Sequence, residues 1–262
     1  MNPTTWRTPL DERRTVHTQD RMKVQSGEGA DQGSSSEPLP PDSLDINVDG
    51  QEISGPERGF GQLWRKTYRI RLEGANASPV EVIRTWRDRY GELWPEGNHF
   101  YRPFTGLKPG QVAIADLEMP ANRRLSTGVV VTSVEPTSFS FVTPQGHTMA
   151  GDITFSAHDE SGTTIAQIEI LLRASDPAFE LGMLLGGHKR EDAFWEETLS
   201  NLAELLGADG TPETTSILLD SHRQWRNAVN IVNNSFLRTT LYLAIRPLRR
   251  MYERITTRNR QS

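Results

Sequence analysis

The stretch from Leu125 to Arg173 constrains this chain most. It reads LSTGVVVTSVEPTSFSFVTPQGHTMAGDITFSAHDESGTTIAQIEILLR. Four runs rich in Val, Ile, Thr and Phe are separated by turn signals at Glu135-Pro136, at Pro144-Gln145-Gly146 and at Glu160-Ser161-Gly162. That pattern is an antiparallel meander. Ile153, Phe155 and Ala157 alternate with polar residues, so one face is buried and the other is wet. A cover for the buried face follows in sequence. From Asp192 to Leu206, Phe194, Trp195, Leu199, Leu202, Leu205 and Leu206 recur at helical spacing, and Gly207 is a stop.

The elements before the meander can be read in the same way. Trp64, Tyr68, Ile70 and Leu72 alternate with Arg65, Thr67, Arg69 and Arg71, which predicts a long strand with one basic face. Lys66 interrupts its inward face, and the usual outcome is a stem that runs along apolar surface to water. Ser78-Pro79-Val80-Glu81 is a capping box with proline at the first helical position. Ile83, Trp86, Tyr90 and Leu93 continue that helix until Gly91 and Trp94-Pro95 break it. Two further strands are predicted, over His99–Phe104 and Gln111–Met119. Gly182 and Gly186 lie four apart ahead of the long helix, which predicts close helix packing there.

The order is strand, helix pair, six strands, long helix, and it resembles the START-like (SRPBCC) superfamily. Local phrases add to the likeness: Val134-Glu135-Pro136 before Phe139–Phe141, Gly146-His147 leading to Gly151 and Phe155, and Phe194-Trp195 followed by Leu199, Asn201-Leu202 and Gly207. The resemblance implies an α+β helix-grip fold, a seven-stranded antiparallel sheet wrapped on a long C-terminal helix, with a C-terminal helical extension beyond it. It implies three regions: a disordered tail over 1–58, a ligand-binding domain over 59–210 and a basic amphipathic extension over 211–262.

The low-complexity run GEGADQGSSSEPLPPDS supports disorder in the tail, because it cannot bury enough apolar surface to offset ordering entropy. The absence of cysteine excludes disulfides, thiolate catalysis and cysteine-held metals. The start of the sequence shows no apolar leader, and the apolar run Leu241–Ile245 is too short to span a bilayer, so a cytoplasmic protein is expected.

None of the common phosphate-binding, nucleophile-elbow, dinucleotide or zinc-protease motifs occurs, and the six histidines show no metal-ligand spacing. No metal or other cofactor is therefore expected. The resemblance implies a cavity between sheet and helix that takes a hydrophobic small molecule, polyketide-like or lipid-like. Its other implication is a cofactor-independent cyclase, aromatase or dehydratase acting on such a molecule. Trp64, Tyr68, Trp86, Phe139, Phe141, Phe155, Leu199 and Leu202 are the candidate apolar wall, although aromatic stripes at this spacing usually serve packing. His99 and Tyr101 share a strand face and are the candidate catalytic pair. Lys66, Glu118, His147, Glu169 and His188 are further polar candidates; a turn position favours a capping role for His147, and a wet strand face a surface role for Glu169.

Residues 221–262 contain nine arginines, no lysine and one acid, Glu253, so this stretch carries +8 and the rest of the chain −13. Leu237, Leu241, Ile245, Leu248, Tyr252 and Ile255 form a stripe within a helix predicted over 216–258. Apolar burial should decide where this stripe docks. Three partners stay open: the chain's own body, a second subunit in a homodimer, or an anionic membrane surface. Nucleic acid is not expected, because the basic stretch lacks interleaved aromatic platforms and the body is acidic.

Overall fold

The structure, a computed structural model, describes residues 47, 50–101, 106–119 and 123–241. The tail before residue 47, the stripe beyond Leu241 and the end of the strand expected over His99–Phe104 lie outside the described residues.

Eight antiparallel strands form one sheet in the order β2-β3-β4-β5-β6-β7-β1-β8. They are β1 (Leu63–Arg71), β2 (His99–Tyr101), β3 (Val112–Met119), β4 (Arg123–Glu135), β5 (Ser138–Val142), β6 (Met149–Glu160), β7 (Thr163–Ala174) and β8 (Glu213–Asp220). Between β1 and β2 come α1 (Pro79–Asp88) and a short 3-10 turn, Tyr90–Leu93. After β7 come α2 (Pro177–Gly182), a wide turn over Met183–Gly187 and the long helix α3 (His188–Leu205). The sheet curls around α3, and this is the α+β helix-grip architecture.

The local signals act as chemistry requires. Ser78 accepts from the Glu81 amide, and the Glu81 carboxylate accepts from the Ser78 amide, which opens α1 with both capping bonds. Gly186 sits at φ +116, a conformation that side chains resist, and this separates α2 from α3. The expected close packing at Gly182 and Gly186 does not occur: a Cβ at either would meet nothing within 4 Å.

The chain adds an eighth strand to the expected seven at one edge of the sheet. β8 pairs with the free edge of β1 from Leu63↔Asp220 to Arg69↔Glu213. The helix predicted from residue 216 is therefore a strand as far as Asp220. Thr214, Thr215 and Ile217 are β-branched, and the open edge of β1 supplies the partners their backbone needs. At the end of the sheet where β5 and β7 finish, the Ser54 amide donates to the Thr143 carbonyl (2.8 Å), Ile53 bridges to Pro144, and the Phe60 amide donates to the Ala174 carbonyl. Residues 50–58, expected in the disordered tail, thus pack on the sheet.

The inner face carries side chains in rows set by the register. Phe139, Phe155, Ile168 and Tyr68 form one row across β5, β6, β7 and β1. Trp86 of α1 meets Phe155 and Phe139 edge-on at 5.3 and 6.2 Å, and the two phenyl rings stack at 4.7 Å. Thr198, Leu199, Leu202 and Ala203, from the second half of α3, are buried over this side.

After β8 the chain returns beneath the sheet through a 3-10 helix, Trp225–Asn233, and residues 235–241 are helical. Its attachment is polar. Asn227 donates to the Gly59 carbonyl, Asn230 to the Ser175 carbonyl, and Asn234 to Asp176 Oδ2. The apolar side chains face out, with Trp225, Val229 and Val232 exposed by 74%, 65% and 68%. Leu237 and Leu241 are exposed as well. Asparagines thus fasten this segment, Trp225 meets Phe60 edge-on at 5.3 Å, and of the expected stripe only Leu237 and Leu241 lie within the described residues. No helix among the described residues is long and apolar enough to cross a membrane.

Candidate functional site

One register step beyond the filled row, the space between sheet and helix opens. The next rows are Phe141, Ile153, Ile170 and Lys66, then Gly151, Leu172 and Trp64. Ala115, Val129 and Thr143 add further small inward positions. Beneath the first half of α3 a cavity of about 960 Å³ remains. Trp94, Phe100 and Phe194 arch over it, with Phe100 and Phe194 each 5.2 Å from Trp94 between ring centroids. Leu185 lines the cavity and is 78% exposed, so it stands at a mouth.

The polar part of the wall comes from α3 and β1. Glu191 lines the cavity, and its Oε2 lies 2.8 Å from Lys66 Nζ. Lys66 is 1% exposed and also meets Asp192 Oδ1 at 2.7 Å, while the Tyr68 hydroxyl donates to the same oxygen at 2.8 Å. The lysine therefore does not reach water. α3 closes over its stem, and the helix's first turn presents two carboxylates to the trapped ammonium.

Burial raises the pKa of Glu191, the Lys66 charge opposes that rise, and the neighbouring Asp192 adds to it. Tyr68 is likewise pushed up, first by burial and then by the two carboxylates, and it stays a phenol. His188 packs against Trp64 with ring centroids 5.0 Å apart; burial, then the Lys66 charge, lower its pKa.

His147 also lines the cavity. The Met149 amide donates to its Nδ1 at 3.1 Å, which gives it the local capping role expected of a residue after a turn glycine. Burial pushes its pKa down to about 4, so at neutral pH the ring is uncharged.

The structure separates the sequence candidates. Of the eight wall residues, Phe141 lines the cavity. Tyr68, Trp86, Phe139, Phe155, Leu199 and Leu202 are fully buried packing, and half-buried Trp64 lies against His188. The pair His99 and Tyr101 is not on the cavity. Strand alternation sends their neighbour Phe100 inward and places both on the outer face of β2, opposite Asp116 and Ile114. There burial raises the pKa of Asp116, and Arg124, 2.9 Å from its carboxylate, then Ser126 and His99 oppose the rise. Glu118 lines the cavity rim, and Glu169 lies half-buried on the outer face of β7.

The residue missed altogether is Glu191. Its signal was Lys66: a cation on an apolar strand face beneath a helix calls for a carboxylate above it. Among the described residues, no group of three or more His, Asp or Glu is placed to hold a metal ion.

No family model matches the chain, and no curated protein matches it. Solved structures do. Protein Ms6760 from Mycobacterium smegmatis aligns at 15% identity and TM-score 0.40, over 54% of this chain and 90% of its own. The di-domain ARO/CYC StfQ from the steffimycin biosynthetic pathway aligns at 8% identity and TM-score 0.45, over 56% of this chain and 51% of its own. Ara h 8.0201 aligns at 8% identity and TM-score 0.36, over 54% of this chain and 97% of its own.

Proposed function

We propose that the cavity holds a hydrophobic small molecule, polyketide-like or lipid-like in shape and polarity. The observation that carries this reading is an aromatic-walled chamber of about 960 Å³ beneath a helix that elsewhere packs solidly. An apolar surface of this kind is stabilised by an apolar occupant at about 25 cal/mol for each Å² removed from water. The test is native mass spectrometry of the purified full chain, followed by solvent extraction. An apolar species that leaves on denaturation is expected. Failure to recover one, together with failure to bind a fluorescent fatty acid, overturns the reading.

A second reading is a cofactor-independent cyclase, aromatase or dehydratase, and Glu191 favours it. A carboxylate held 2.8 Å from a buried ammonium and facing an apolar chamber can take a proton from a bound ligand and return it. His147, uncharged on the same cavity, offers a hydrogen bond that positions the ligand. Glu191→Gln keeps the shape and removes the carboxylate. With the extracted ligand as substrate, the native chain should form product and the variant should form far less. Equal product from both removes Glu191 from the chemistry.

A further inference from the structure

The segment from Trp225 to Leu241 inverts the usual arrangement of an amphipathic element. Its asparagines face the body, and Trp225, Val229, Val232, Leu237 and Leu241 face outward. Three more exposed leucines, Leu181, Leu184 and Leu185, lie on α2 and the turn after it. That element is clamped to the segment by Arg223–Glu180 (2.8 Å) and by the Asn234–Asp176 hydrogen bond. Single exposed apolar residues are ordinary, but a cluster on adjoining elements marks a contact surface.

Charge identifies the contact. Within residues 221–262 the ionised groups at neutral pH are nine arginines and one glutamate. Arg223 and Arg238 are half-buried, and Arg226 is exposed beside Trp225. A second copy seated on the same face would bring arginines against arginines. The chain's own sequence beyond Leu241 carries six more arginines and would do the same. An anionic lipid surface meets both requirements, since it takes apolar side chains at the headgroup boundary and arginines against its phosphates.

We propose that the outward face of residues 225–241, together with Leu181, Leu184 and Leu185, docks on an anionic lipid surface. The proposal does not depend on what the cavity holds. If the cavity does hold an apolar ligand, docking through Leu185 sets a mouth of the cavity against that surface.

The test is co-sedimentation of the full chain with phosphatidylcholine vesicles, with and without phosphatidylserine. Binding should be at least roughly tenfold stronger with phosphatidylserine and should weaken as salt rises. Val229→Ser with Val232→Ser removes two exposed side chains, so melting should not change while vesicle binding falls roughly tenfold. Trp225 is the second measurement. Lipids brominated on the acyl chain should quench part of the native fluorescence. Trp225→Phe, which keeps an aromatic edge on Phe60, should lose that part. No binding to phosphatidylserine vesicles, or native binding by the double variant with no quenching at Trp225, overturns the proposal. A concentration-dependent dimer that the double variant abolishes assigns the face to a second copy instead.

Discussion

The two halves of the space beneath α3 share one sheet and one helix, and they differ in outcome. Over the row of Phe139, Phe155, Ile168 and Tyr68, Trp86 and Leu199 leave no room. Two register steps away, over the row of Gly151, Leu172 and Trp64, a chamber remains. The backbone pleat continues through both. The helix separates packing from vacancy: Thr198, Leu199, Leu202 and Ala203 in its second half are buried, whereas Glu191, Phe194 and Trp195 in its first half line the chamber.

The largest expected effect comes from opening the filled half. Phe155→Ala removes a ring stacked on Phe139 and edged by Trp86, Tyr90 and Trp195. It should cost about 3–5 kcal/mol in denaturant unfolding. A loss below about 1 kcal/mol would mean that this half is no better packed than the other.

The next effect tests the polarity of the open half. The His147 pKa is about 4 in the folded chain, against about 6.5 when unfolded. Between those values the unfolded chain binds a proton that the folded chain does not. Stability should therefore fall as pH drops from about 6.5 to about 4, by up to ~1.4 kcal/mol per unit. His147→Asn should flatten that slope. An unchanged slope in the variant would place the imidazole in contact with water.

The smallest effect on stability, and the most direct on function, comes from filling the open half. Val129→Phe projects a ring into the chamber. It should reduce binding of a fluorescent fatty acid by roughly tenfold, about 1.4 kcal/mol. The expected stability change stays below about 1.5 kcal/mol, because the ring enters vacant space. Unaltered binding would mean that the probe sits elsewhere.

The fold was legible because its signals are local. Alternation in β6, the capping box at Ser78 and the stripe of α3 each lie within a few residues. β8 was not, since a strand that is exposed along its length shows no buried alternation and forms only because β1 offers an edge. The site was legible in type and not in place. Of the large aromatics that drew attention, Phe141 lines the cavity and the others pack, because hydrophobic pattern does not mark which apolar residues meet a partner and which meet open space. Phe100 and His99 show the limit at single-residue scale. The sequence identifies a strand there, and only the register with β3 decides that Phe100 and not His99 faces the cavity. The inward face of residues 225–234 was missed because asparagine reads as loop, whereas here three of them are the fastening.

β8 also sets what can be cut away. A chain ended after Gly207 would keep every element of the helix-grip pattern, yet it would leave the nine residues of β1 with an open backbone edge. Such an edge recruits strands from other chains and seeds aggregates. The same cut would strip Asp220 from Arg173, which is 6% exposed and is bound to that carboxylate at 2.6 Å and to the His222 carbonyl. The Arg173 guanidinium in turn holds the Asp220 pKa well below the usual carboxylate range, with the His222 amide assisting. A guanidinium buried without its counter-charge is costly to a fold. The smallest part of this chain able to stand alone therefore runs past α3 to at least His222.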